Sequence, residues 1–494
     1  MMPRFILALD QGTTSTKAML LDELGEMVAS ADRPVPVQFP QPGWVEQDPV
    51  ALWQAVLEAA GDCLGQAATV FGEHPPVAIG IASPRESVVV WERSSGRPVG
   101  PCVAGQCRRA APFCDELRRS GRAPLIAERT GLPLDPQYSA SKARWLLEHA
   151  PDGLARAAAG ELAIGTLDSW LLWNLSAGAA HACDFTNAAR TQLLNLRQLA
   201  WDQDLLRCFE IPAAALPKLH PSGHLFGETA AVGRIPAGIP IAALAADSHA
   251  ALFGHTLFQP GQAKATYGPG ASVTVLTAEP VAAEDLSTTI AWSCDETRYA
   301  LEGAIPASAS GVQWLGELLG LDPPAEGAAQ LAAAVSDSGG VYFVPASARP
   351  GGLHSGETPA GTISGLTRST TAGHLARAAH DSIAFQVRDV VEAIERAGCP
   401  VPRLLADGEG SRNRRLMQFQ ADVLGRPLAR STTADASARG AAWLAGLTAG
   451  VWQSKEDLTS LPRAEDRFVP RMAPADRDRL YAGWRDAVDR ATRR

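Results

Sequence analysis

A short pattern written twice, once at the start of the chain and once just past its midpoint, constrains the fold more than any other feature. Phe5–Leu9 is a continuous apolar run closed by Asp10-Gln11-Gly12, and Ala18–Leu21 is a second run beyond a Gly/Thr loop. Short apolar runs bounded by turn residues read as buried strands, so the pair predicts a hairpin with a polar tip. Lys264–Leu276 (KATYGPGASVTVL) repeats the order strand, glycine-rich turn, strand. Two copies of one supersecondary unit imply an internal duplication, with the halves meeting near residue 255, that is 1–254 and 255–494. The length agrees, because single cores tend to split beyond about 250–300 residues.

Between the hairpins, Asp48-Pro49 opens an amphipathic helix with Leu52, Val56, Ala59 and Ala60 on one face. Val77–Ile81 and Val88–Trp91 read as a second strand pair around Ser83-Pro84-Arg85-Glu86. In the second half a helix is expected over His374–Ala397, then strand Arg403–Ala406, the loop Asp407–Ser411 and helix Asn413–Leu424. Strands alternating with helices predict an α/β class. A chain that is 46% hydrophobic and 20% charged can bury a large core and is no disordered polymer. Its net charge of −9 argues against a general nucleic-acid binder, which needs a basic surface. The eight cysteines form no CxxC pair and read as reduced, mostly buried thiols. The five-residue apolar run at the start is too short for a signal peptide or a membrane span, so a cytoplasmic protein without membrane insertion is expected.

Three glycine-containing loops bring backbone amides within reach of an anion: Asp10–Lys17, Gly268-Pro269-Gly270-Ala271 and Asp407–Ser411. Thr13, Thr14 and Ser15 add hydroxyl donors to the first. Glycine turns joining strands are also ordinary turns, and none fits the GxxxxGK[ST] phosphate loop. Asp10 and Asp247 stand at strand ends, where a carboxylate suits Mg²⁺ or the deprotonation of an attacking hydroxyl. Capping a local turn suits an aspartate equally well.

The segments LALDQGTTSTKAML, GWVEQDP, SKARWLLEH, GTLDSWLLW, TNAARTQLLNL, ADSHAALFG, YALEGA, SGLTR and LMQFQADVLG resemble, in order and over nearly the whole chain, the glycerol kinases among the FGGY carbohydrate kinases. The resemblance implies two actin-like (ribonuclease H-like) α/β domains around a deep cleft. It also implies ATP- and Mg²⁺-dependent phosphorylation of a hydroxyl on a small polyol or sugar. It assigns Thr13, Thr14, Ser15 and Lys17 to the first ATP phosphate hairpin, and Gly268, Pro269 and Gly270 to the second. Ala309, Gln313, Glu409 and Asn413 fall at nucleotide positions, Asp10 and Asp247 at Mg²⁺, Asp247 at the catalytic base, and Arg85 and Glu86 at the substrate hydroxyls. Family members often form homodimers or homotetramers, and no segment of the sequence marks an interface.

The departures from the family pattern cluster. Gly105 stands where glycerol kinases place a tryptophan, Gln137 where they have a tyrosine, Ser272 where they have a phenylalanine, and Ser248 where a glutamine follows the base. Each aromatic ring buries about 150–250 Å², so their loss predicts a larger, more hydroxylated substrate such as a tetritol, pentitol or ketopentose. The alternative is a true glycerol kinase whose other residues refill the space. On the nucleotide side Pro269 replaces a threonine, while Ala309 and Glu409 replace glycines; the stretch Arg349–Gly361 also departs from the family. His380 reads as a satisfied core histidine. Two further classes are an actin-like nucleotide switch, against which the retained Arg85-Glu86 pair speaks, and a catalytically degenerate sugar-binding regulator.

Overall fold

Both expected hairpins form, and each seeds a sheet. In the computed structural model, which describes residues 4–346, 361–433 and 435–492, Ile6–Gln11 pairs antiparallel with Ser15–Leu21, setting Asp10 opposite Lys17. Ala263–Tyr267 pairs in the same way with Ala271–Thr277, setting Thr266 opposite Ser272. A third antiparallel strand follows in each case, Met27–Pro34 and Thr297–Ile305. On its other side each first strand takes a parallel neighbour, Ala78–Ser83 or Leu404–Asp407. Beyond that lies a second parallel strand, Pro240–Ala246 or Leu428–Ser431, and then an antiparallel edge, Gly223–Glu228 or Glu465–Phe468. The second sheet carries one extra edge strand, Ser287–Ser293, which makes seven strands against six. The duplication is therefore one of topology. The parallel strands are buried on both faces, which is why they read as unbroken apolar runs rather than alternations.

The helix Pro49–Phe71 begins where Asp48 and Pro49 predict; the Asp48 carboxylate accepts the amide hydrogen of Val50. Helices Ala372–Arg396 and Arg414–Leu424 fall within two residues of their expected spans. One pairing differs. Ala78–Ser83 joins the main sheet, whereas Val89–Glu92 pairs antiparallel with Leu162–Gly165 in a ribbon of its own. The intervening Pro84-Arg85-Glu86 is no hairpin turn: Glu86 takes a left-handed backbone, φ 63°, which directs the chain out of the sheet. That ribbon belongs to an insertion with its own core of Val90, Cys107, Ile126, Ala143 and Phe209.

Each second parallel strand feeds a helix, Asp247–Gly254 in the first half and Ala436–Thr448 in the second. The two helices pack against each other between the sheets, in a core shared by both halves that includes Ala8, Ala250, Phe253, Ala441 and Trp443. Gly440 lies so close that a β-carbon there would sit 2.5 Å from the carbonyl carbon of Ala250. The second half thus reaches across to cover the first sheet. No helix among the described residues is long and apolar enough to cross a membrane. All eight cysteines are free, and six of them are buried.

Candidate active site

The carboxyl ends of the parallel strands converge on one cleft, the place where open α/β sheets expose backbone and side chains to ligands. Asp10 closes Ile6–Gln11, Arg85 follows Ser83 by two residues, and Asp247 follows Ala246 directly. Two cavities open there. The larger, about 810 Å³, is lined by Asp10, Asp247, Ser248, Lys264, Thr266, Asp407, Glu409, Arg412, Arg430 and Asp435 among others. The smaller, about 280 Å³, is lined by Thr13, Gln47, Arg85, Glu86, Gly105, Gln137, Asp247 and Ser248 among others. Asp247 and Ser248 are the residues common to both.

Asp247 stands at the helix start, where its Oδ1 accepts the Ser248 amide at 2.5 Å and the Ser248 hydroxyl at 2.9 Å. Burial raises its pKa, while Arg85 and the Ser248 bonds pull the other way. Asp10 is pushed up to about 7, first by burial and then by the charges of Asp247 and Asp435. Lys17 bridges the cleft to Asp435. In the wall of the larger cavity, Asp407 accepts hydrogen bonds from Lys264 and His255, each at 2.9 Å, and the Lys264 ammonium together with these bonds holds its carboxyl well below the usual range against the opposing effect of burial.

Arg85 donates to Glu302 at 2.7 Å and lies 3.8 Å from Glu86; Arg190 donates to Glu86 at 2.7 Å. The left-handed Glu86 sits in a backbone region that costs a bulky residue energy and is concentrated at functional sites.

The remaining expected residues divide. Arg85, Glu86, Gly105, Gln137, Asp247 and Ser248 meet at the smaller cavity. Thr13 lines that same cavity rather than the larger one, while Thr14 is exposed and Ser15 half-buried at the hairpin tip. Ser272 lies on its strand opposite Thr266 and Ala304 and is absent from the residues lining the smaller cavity. Gly268, Pro269 and Gly270 form a turn whose Pro269 carbonyl accepts the amides of Ser308 and Ser310, just ahead of the helix that Ala309 opens. Gln313 is exposed and donates to Glu317. Glu409 lines the larger cavity together with the cations Lys264, Arg412 and Arg430. Asn413 caps the helix Arg414–Leu424 through its side-chain oxygen. His380 hydrogen-bonds the Ala376 carbonyl at 2.9 Å, as a satisfied core histidine does. The segment Arg349–Gly361 lies outside the described residues except for Gly361.

Residues 5–254 match the N-terminal domain of the FGGY family of carbohydrate kinases, and residues 263–449 match its C-terminal domain. The chain belongs to the FGGY family of carbohydrate kinases. It is a phosphotransferase with an alcohol group as acceptor. It is 44% identical to a glycerol kinase of Symbiobacterium thermophilum, over 99% of this chain and 98% of that one. The crystal structure of Plasmodium falciparum glycerol kinase with ADP superposes with a TM-score of 0.93 at 29% identity, covering 100% and 99% of the two chains. A xylulose kinase from Rhodospirillum rubrum reaches 0.88 at 26% identity, covering 99% of each.

Three residues of this FGGY kinase escaped the sequence reading although all stand in the motifs that carry the resemblance. Arg190 and Glu302 complete the charges around Arg85 and Glu86. Lys142 is fully buried, and its ammonium donates to the carbonyls of Ala104, Gly105 and Gln137. Burial lowers its pKa to about 8. A charge inside an apolar strand (Ala300-Leu301-Glu302-Gly303) or an otherwise apolar helix face was the available signal.

Proposed function

We propose that this FGGY kinase transfers the terminal phosphoryl group of ATP to a hydroxyl of a small polyol, with glycerol as the leading acceptor. The supporting observation is the position of Asp247 at the junction of two cavities, a larger one lined by Lys264, Arg412 and Arg430 as well as by carboxylates and a smaller one lined by Arg85 and Glu86. A carboxyl at that junction, with its pKa raised by burial, is placed to accept the proton of a hydroxyl attacking a phosphate in the neighbouring chamber. Arg85 donates and Glu86 accepts, so together they hold a vicinal diol in one orientation. Closure of the two halves excludes water that would otherwise compete as the acceptor.

The donor set suits Mg²⁺. Asp10, Asp247 and Asp435 offer oxygen ligands to one cavity, and the repulsion that helps raise Asp10 to about 7 is what a hard divalent cation relieves. Asp10 and Asp247 would hold the ion, which when bound neutralises charge on the transferring phosphates.

Glycerol is favoured by the names of the relatives and by the ground beside Gly105. A β-carbon there would stand 3.2 Å from the Arg85 carbonyl oxygen and 3.4 Å from the Glu86 β-carbon, so neighbouring residues occupy part of the space an aromatic wall would take. A second reading, a tetritol, pentitol or ketopentose, is supported by Gln137 and Ser248, two polar groups on the wall of a cavity of about 280 Å³. A coupled ADP-release screen over C3 to C6 polyols and ketoses decides between them: kcat/KM highest for glycerol supports the first, and a C4 or C5 optimum the second. In either case Asp247→Asn should lower kcat by about 10²–10⁴-fold without lowering the melting temperature. Near-normal turnover in that variant would remove the assigned base.

A further inference from the structure

Arg85, Glu86, Arg190 and Glu302 close a ring of alternating charge. Arg85 lies 2.7 Å from Glu302 and 3.8 Å from Glu86, and Arg190 lies 2.7 Å from Glu86 and 3.6 Å from Glu302. Their side chains are only 17%, 13%, 3% and 6% exposed, in the order Arg85, Glu86, Arg190, Glu302. Three of the four come from the first half of the chain. Glu302 alone arrives from the second sheet, on the strand Thr297–Ile305. Arg85 and Glu86 line the smaller cavity, whereas Arg190 and Glu302 stand behind them and do not.

We propose that Glu302 is a positioning residue that makes the polyol-binding geometry conditional on contact between the two halves. The ring explains how. Arg85 has two carboxylates to choose from, and with Glu302 in place its Nη1 is drawn to the second half, which holds its Nε 3.8 Å from Glu86, beyond a direct hydrogen bond. Arg190 draws Glu86 from behind and sets the carboxylate that accepts from the substrate. When the halves separate, Glu302 withdraws, and Arg85 is free to close a direct pair with Glu86. That pair would satisfy each of them with the other and leave neither group presented to a diol. Stability alone does not account for a buried carboxylate on a core strand, because buried ion pairs are commonly no more stabilising than apolar packing of similar volume. Gating a binding site does account for it.

This inference rests on the polyol kinase reading, and the test separates the two. Steady-state kinetics are measured for wild type, Glu302→Gln and Glu302→Asp against the best acceptor and against ATP, with melting temperatures alongside. Loss of one charge-assisted bond to Arg85 predicts an acceptor KM raised about 10- to 100-fold in Glu302→Gln, with the KM for ATP within about twofold of wild type. Glu302→Asp keeps the charge but shortens its reach and should fall between the two; if Glu302→Gln does not fold, it decides the question. A merely structural role would lower the melting temperature or the active fraction and leave both KM values alone. An unchanged acceptor KM in a folded variant overturns the proposal. Wild-type protein that releases no ADP in response to any polyol overturns the underlying reading instead.

Discussion

Gly440→Ala tests whether the crossing of the two central helices sets the catalytic geometry. A β-carbon at this position would lie 2.5 Å from the carbonyl carbon of Ala250 and 2.9 Å from the amide nitrogen of Gly254, both main-chain atoms of the opposing helix. No rotamer change relieves such a clash. The Ala250 carbonyl oxygen lies closer still, so relieving the clash separates the helices by more than about 1 Å. Alanine is the better helix former by about 1 kcal/mol, and overpacking against rigid neighbours costs up to about 3 kcal/mol, so the clash wins by about 2 kcal/mol. For a lobe of this size that corresponds to a melting temperature lower by about 4–8 °C. The larger effect is on turnover. Asp247 lies three residues before Ala250 on one helix, and Asp435 and Ser437 at the start of the other line the larger cavity. A displacement near 1 Å between a base and its reaction partner costs about 100-fold. The assay is coupled ADP release for kcat, with thermal unfolding followed by circular dichroism. Gly311→Ala serves as the control, because its β-carbon meets only ordinary contacts at 3.6 and 4.0 Å. Wild-type kcat together with an unchanged melting temperature in Gly440→Ala would refute the crossing as a determinant of the site.

Substitutions at three further positions probe other parts of the molecule. Asp168 is pushed to about 7 by burial and by neighbouring Asp184, so the folded state binds a proton that the unfolded chain releases near 4; the stabilisation is full below about pH 4 and is lost as pH rises through 7. Asp168→Asn should therefore gain in melting temperature relative to wild type between pH 5 and pH 8, and parallel pH profiles for the two proteins would contradict this. Lys142→Met leaves three carbonyls on the Gly105 and Gln137 loops without their donor and should raise the acceptor KM by about tenfold or more with little change for ATP; equal effects on both KM values would count against it. Asn413→Ala should lose about 1 kcal/mol of helix capping, which urea unfolding would register, whereas Asn413→Asp keeps the cap and raises the KM for ATP only if the amide contacts the nucleotide.

Local patterns were legible and distant partnerships were not. The hairpins, the helix Ala372–Arg396 and the strand–loop–helix after residue 404 were readable because each is specified within a window of one or two dozen residues. The strand Val89–Glu92 was readable as a strand, but its partner Leu162–Gly165 stands some seventy residues away in an insertion whose pattern gives no register. Arg85 and Glu86 were found as a pair because they are adjacent, whereas Arg190 and Glu302 reach them only through the fold. Ser272 was placed by resemblance alone: its strand pairs it with Thr266 and Ala304, and it is not among the residues lining the smaller cavity.

The duplication also accounts for where the chemistry sits. In each half the second parallel strand is followed by a helix, directly in the first half and after a short loop in the second, and the two helices meet where Gly440 allows main chain to approach main chain. Because the halves share one topology, that contact brings equivalent strand ends face to face, and Asp247 and Asp435 arrive at the same cavity from opposite sides. One half alone would offer its acids to solvent. The helices between the sheets belong to a core shared by both halves, so a relative movement of the sheets that changes the distance between those acids must pivot about this helix crossing. Ion pairs also cross between the halves beside this contact, Lys17 with Asp435 and Glu302 with both Arg85 and Arg190.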